Sequence, residues 1–95
     1  MQITVGHKTF DVVAEPSFEI HYWVGNILEN AEVMRLYDEY DEIWYQVIMN
    51  NKTRYMIAGQ QGWFFFDDSG GNSDKVLADI VGKQIDEHYG NRIRL

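Results

Sequence analysis

IWYQVIMNNKTRYMIAGQQGWFFF, residues 43–66, holds no acidic residue, although the chain carries fifteen. β-Branched and aromatic residues fill three runs, Ile43–Met49, Thr53–Ala58 and Gly62–Phe66. Asn50-Asn51-Lys52 and Gly59-Gln60-Gln61-Gly62 separate them. Strand formers punctuated by turn formers predict three consecutive β-strands. Connections this short cannot carry a parallel crossover, so the strands form an antiparallel meander. Its faces do not divide cleanly into wet and dry. Ile43, Tyr45, Val47 and Met49 share one face of the first strand, and Trp44, Gln46 and Ile48 the other. In the middle strand, Arg54 marks the more polar face. Polar Gln46 is expected to join Arg54, which brings Trp44 and Ile48 to the outside as anchors for a partner or a second copy.

The N-terminal fourteen residues alternate well and predict a hairpin turning at Gly6-His7-Lys8. This opening, MQI-V…KTF-V-EPS, resembles the first hairpin of the ubiquitin family over about seventeen residues. The resemblance implies a β-grasp-like start leading into a helix. Arg92-Ile93-Arg94-Leu95 stands where a conjugated modifier carries Gly-Gly. Residues 17–31 fit two patterns. Phe18, Ile20, Tyr22 and Val24 alternate as in a strand, with Gly25-Asn26 as a turn. Ile20, Trp23, Val24, Ile27, Leu28 and Ala31 fall at helical spacing behind Pro16 and an N-cap at Ser17. The helical pattern has more matches and is the expectation here. Glu32–Tyr37 continues it or forms a strand.

Asp67–Ser73 reads as a loop, and Ser73 as the cap of a helix over Asp74–Tyr89. Leu77, Ile80, Val81 and Ile85 form its buried stripe, Asp79 and Lys83 an i,i+4 pair, and Gly90 the C′ residue. The fold class is therefore α+β, a single domain over 1–95: N-terminal hairpin, helix, meander, and a C-terminal helix packed on the sheet.

Eight Lys and Arg against fifteen acids give a formal charge of −7. Direct nucleic-acid binding needs cations for phosphates and is disfavoured. Without Cys there is no disulfide and no thiolate metal site, which fits a reducing cytoplasm. No apolar run approaches the length of a membrane span. His7, His21 and His88 lie far apart and match no catalytic or metal motif, so no catalytic residue, metal or cofactor is expected. Two His converging with a carboxylate in one cleft would argue for an enzyme.

The densest charge cluster is Asp38-Glu39-Tyr40-Asp41-Glu42. A row of carboxylates can occupy a cleft that holds phosphates, as a DNA mimic does; the plainer alternative is a solvated turn. Together these features lead to a non-enzymatic inhibitor that occludes a basic site on a nucleic-acid-processing enzyme. A phage or mobile-element origin would suit the size, and an immunity protein against a cationic toxin nuclease is the alternative. The expected contact residues are Asp38, Glu39, Asp41, Glu42, Trp44, Ile48 and Arg54, with the four acids facing solvent. A small enzyme subunit or a homodimer built on the aromatic patch stands behind these.

Overall fold

The computed structural model describes residues 1–5, 7–60, 62–66 and 74–93. Among them are seven strands: β1 (Gln2–Val5), β2 (Lys8–Ala14), β3 (Phe18–Val24), β4 (Ile27–Asp38), β5 (Ile43–Met49), β6 (Lys52–Gly59) and β7 (Gly62–Phe65). One helix, α1 (Lys75–Ile93), follows. All pairings are antiparallel, in the order β1-β2-β4-β5-β6-β7, with β3 also on β4. The meander over residues 43–66 and the C-terminal helix match the sequence reading.

β4 organises the sheet. Its twelve residues give one edge to β5 and share the other between β3 and β2, which lie end to end. Ala14 pairs with Leu36 and Phe18 with Val33. Glu15, Pro16 and Ser17 therefore stand opposite only Met34 and Arg35. Pro16 has no N–H to give a ladder, while the Glu15 N–H donates to the Arg35 carbonyl at 2.9 Å. This extra residue inverts the side-chain alternation. Val12 joins Leu36 on one face, and Phe18, Ile20 and Tyr22 point to the other.

Two cores result. α1 covers the helix face, where Val81 and Ile85 pack with Val33, Val47, Met56, Tyr45 and Trp63. On the outer face, Ile3, Val5 and Val12 of the β1–β2 hairpin close over Leu36 and Trp44. The hairpin covers only the end of the outer face near the C-terminus of β4.

Several expectations are corrected. Residues 18–33 are the β3–β4 hairpin, not a helix, so the resemblance to ubiquitin stops at the first hairpin. Gly25, at φ 61°, is the first of two turn residues between Val24 and Ile27, the type II′ geometry that suits a hairpin. Asn50 and Asn51, at φ 51° and 62°, form the β5–β6 turn alone, as in type I′. Lys52 already pairs with Met49, so Gln46 faces Tyr55 and Arg54 faces Val47. That one-residue change turns Arg54 to the helix face beside Val47, while Trp44, Gln46 and Ile48 lie on the outer face as expected. α1 runs through Gly90, which is not its C′ residue. Asp79 pairs with Lys75, at 2.7 Å, rather than with Lys83. The loop at Asp67–Ser73, including the Ser73 cap, lies outside the described residues.

Candidate functional site

The β4–β5 turn holds the acidic cluster, and its first member is structural. Asp38 is 6% exposed. Its carboxylate accepts from Trp44 Nε1 at 2.9 Å and from the Tyr40 and Glu42 N–H groups at 2.8 and 2.9 Å. Partial desolvation pushes the Asp38 carboxyl up, but the bonds from Trp44, Glu42 and Tyr40 outweigh it and hold it below its ordinary value. Asp38 thus faces inward, against the expectation of solvent exposure. Asp41 adopts φ 62°, which Asp tolerates at the end of such a turn. Glu39, Asp41 and Glu42 are exposed as expected.

Trp44 is also displaced from its expected role. It is 8% exposed, lies against Phe10 and Phe66 with ring centroids 5.5 and 5.2 Å away, and belongs to the outer core. The β1–β2 hairpin covers it, so it cannot anchor a partner. Arg54 lies on the helix face, 3.7 Å over the Phe65 ring and 2.8 Å from Asp74 Oδ2. Of the three expected non-acidic contact residues, only Ile48 remains exposed on the outer face.

Ile48 belongs to a different surface. At the open end of the outer face, β3 contributes Glu19, His21 and Trp23, and β4 contributes Glu32, Asn30 and Leu28 directly opposite them. Ile48 sits beside Glu32 on β5. Trp23 and Leu28 are 61% and 54% exposed. Across the turn, on the helix face, Val24 and Ile27 are exposed as well. Four large apolar side chains thus crowd the tip of one hairpin. Behind them, Glu19 and Glu32 face each other across the strands, a like-charge arrangement that weakens a sheet. His21 Nε2 lies 3.3 Å from Glu19 Oε1.

The tip and the acidic turn occupy opposite ends of β4. Twelve strand residues span about 36 Å along the chain. A small contact cannot use both.

A shallow groove of about 260 Å³ runs between β3 and α1, lined by Glu19, Ile20, His21, Gln84, Glu87 and His88. Two of the three His thus line one groove with two carboxylates, and His21 Nε2 lies 3.3 Å from Glu19 Oε1. The His88 ring stacks flat on Phe18, 3.7 Å between centroids. The side chains of Glu19 and His21 are mostly exposed to water. Among the described residues, no group of three or more His, Asp or Glu is placed to hold a metal ion. No described helix is long and apolar enough to cross a membrane.

Comparison with known proteins adds nothing to this geometry. No protein-family model, curated protein or solved structure matches the chain.

The residues that sequence reasoning missed are Trp23, Leu28, Glu19 and Glu32. The strand alternative for residues 18–24 carries the signal, because it places Glu19, His21 and Trp23 together on one face. The helical spacing that outweighed it came largely from tip residues that are not core.

Proposed function

We propose that this protein is a non-enzymatic binder that seats on a basic surface of a partner protein and occludes it. The observation behind this reading is the β3–β4 hairpin, whose exposed Trp23, Val24, Ile27 and Leu28 stand beside the facing Glu19 and Glu32. Isolated apolar residues on a surface are ordinary, but four at one tip mark a contact. Trp is the side chain that most often anchors an interface. The facing carboxylates cost the sheet a few tenths of a kcal/mol, up to about 1, and a partner's Lys or Arg would relieve that repulsion. Basic surfaces of this kind are typical of proteins that hold nucleic-acid phosphates, so the proposed target class is a nucleic-acid-processing enzyme. Glu39, Asp41 and Glu42, at the far end of β4, act through the overall field, speeding association rather than touching the same patch. A chain without Cys suits a reducing cytoplasm.

Affinity capture from the source cells tests this reading, with a Trp23→Ser/Leu28→Ser double variant as the control bait. The expected result is a basic protein retained by the natural chain, lost by the variant, and inhibited when the natural chain is added to it. Equal retention by both baits would place the contact elsewhere.

A second reading has one observation in its favour, the placing of His21 and His88 along one groove with Glu19 and Glu87. Two His and two carboxylates can move protons in hydrolysis. The groove is open to water, however, and acid–base and electrostatic catalysis gain most in a site that excludes it. The binding reading is preferred for that reason. Hydrolysis of a broad ester, phosphoester and glycoside panel, abolished by His21→Ala, would reverse the preference.

A further inference from the structure

We infer that the free edge of β3 accepts an extended Lys- or Arg-bearing segment of the partner as an added strand, lying in the groove between β3 and α1. This rests on the binding reading above and specifies how the partner's chain engages the hairpin.

The hydrogen-bond phase of β3 follows from its turn. In a two-residue hairpin the residues flanking the turn exchange both backbone bonds, and the bonded pairs recur at every second residue. Val24–Ile27, Tyr22–Glu29, Ile20–Ala31 and Phe18–Val33 are thus the bonded pairs. The N–H and C=O groups of Glu19, His21 and Trp23 consequently point away from β4. Among the described residues, no strand pairs with that side. At seven residues, β3 is longer than the other two terminal strands, β1 and β7, which have four each. Proteins normally blunt such an edge with Lys, Pro or a bulge. FEIHYWV has no Lys and no Pro, and the bulge at Glu15–Ser17 lies before it.

The groove beside this edge has the chemistry to choose its occupant. Among the described residues, Glu19 lines it from the strand and Glu87 from the helix, and no Lys or Arg does. An added strand would hydrogen-bond to Glu19, His21 and Trp23 while its alternate side chains enter the groove. Glu19 stands on the outer face of this edge and Glu87 on the helix side, so a carboxylate would flank an added strand on each of its faces and select Lys or Arg. The formal charge of −7 opposes filling the same edge with a second copy.

The probe is an octapeptide alternating Lys and Thr, with a Glu/Thr octapeptide as its counterpart. Backbone amide spectra and hydrogen exchange are recorded on the full chain. The Lys/Thr peptide is expected to bind saturably and to slow exchange at Glu19, His21 and Trp23, while the Glu/Thr peptide does neither. His21→Pro removes one outward N–H and no β4 bond, and should weaken peptide binding about tenfold. Glu19→Lys/Glu87→Lys changes only exposed side chains, should abolish binding, and keeps the test decisive if the proline variant misfolds.

Unchanged exchange at the three edge amides in the presence of the peptide would overturn the proposal. So would equal binding of the two peptides. Protection of those amides that rises with protein concentration alone would overturn it in favour of a second copy. If Trp23→Ser/Leu28→Ser loses the cellular partner while Glu19→Lys/Glu87→Lys and His21→Pro keep it, strand addition fails and the binding reading stands.

Discussion

The same substitution at two glycines of α1 should have opposite effects. A Cβ on Gly82 would lie 2.0 Å from Trp63 Cγ and 2.2 Å from Cδ1, where ordinary contact starts near 3.4 Å. The indole would have to retreat by more than an ångström. It has nowhere to go: Trp63 is buried, its ring meets Tyr45 edge-on at 5.1 Å, and Nε1 donates to Asp86 Oδ2 at 3.0 Å. Its backbone N–H also donates to Asp79 Oδ1, at 3.1 Å. Gly82→Ala therefore lifts the helix from β7 or breaks these bonds. Overpacking costs about 1–3 kcal/mol, and a lost hydrogen bond about 1 more. The helix propensity of Ala returns about 1. The net loss is about 2 kcal/mol, or roughly 10 °C in melting temperature for a domain of this size. At Gly90 a Cβ meets nothing within 4 Å, and α1 continues past it with no positive φ. Gly90→Ala should gain about 0.5–1 kcal/mol and melt a few degrees higher. Thermal melts by circular dichroism at one concentration compare the two variants with the natural chain. A Gly82→Ala protein as stable as the natural chain would refute the packing of α1 on Trp63. A destabilised Gly90→Ala protein would mean that Gly90 caps the helix in the left-handed region.

Trp44→Ala should cost about 3–5 kcal/mol, read from urea unfolding, because it empties the outer core; a mild loss would mean that Trp44 is not buried. Trp23→Ser/Leu28→Ser should cost less than about 1 kcal/mol in the same assay, since both side chains face water. Asn51→Ala should cost about 1 kcal/mol through the left-handed conformation and Asn51→Gly should not, measured as the difference between their denaturation midpoints. The folded-state carboxyls of Asp38 and Asp79 both lie below the ordinary 3.8: at Asp38 hydrogen bonds outweigh desolvation, and at Asp79 the Lys75 bond leads. Their stabilisation is then full above 3.8 and drains as the pH falls through the folded values. Denaturant midpoints should hold down to about pH 4 and fall below it, less steeply in Asp38→Asn.

The parts of the fold readable from sequence were those whose local pattern and buried face agree. Val81 and Ile85 repeat at helical spacing and are buried by that same spacing. The meander was readable because turn residues bound each run. Residues 17–31 misled because Trp23, Val24, Ile27 and Leu28 are apolar for a reason other than the core. They complete a helical period that no core uses, while Phe18, Ile20 and Tyr22 mark the buried side of β3. The outer side of β5 was read correctly, but Arg54 was placed on the wrong face by a single residue, Lys52, counted in the turn when Asn50 and Asn51 suffice. Asp38 could not be told from its exposed neighbours, because its burial depends on Trp44 reaching back six residues to bond it.

The bulge at Glu15–Pro16–Ser17 also fixes which kinds of change this gene can tolerate. Substitution at the second and third of these is mild: Pro16 and Ser17 are exposed, and their side chains bury no core. Deletion of one of the three is a different event. It would restore an unbroken alternation from Val12 to Tyr22, so the apolar sets of β2 and β3 would have to share one side of the sheet. Either the N-terminal hairpin would leave Leu36 and Trp44 open to water, or Phe18, Ile20 and Tyr22 would abandon the helix. Length, more than composition, should be what drift preserves in this connection. Among functional variants, single-codon deletions here should be rarer than single-codon replacements of Pro16 or Ser17.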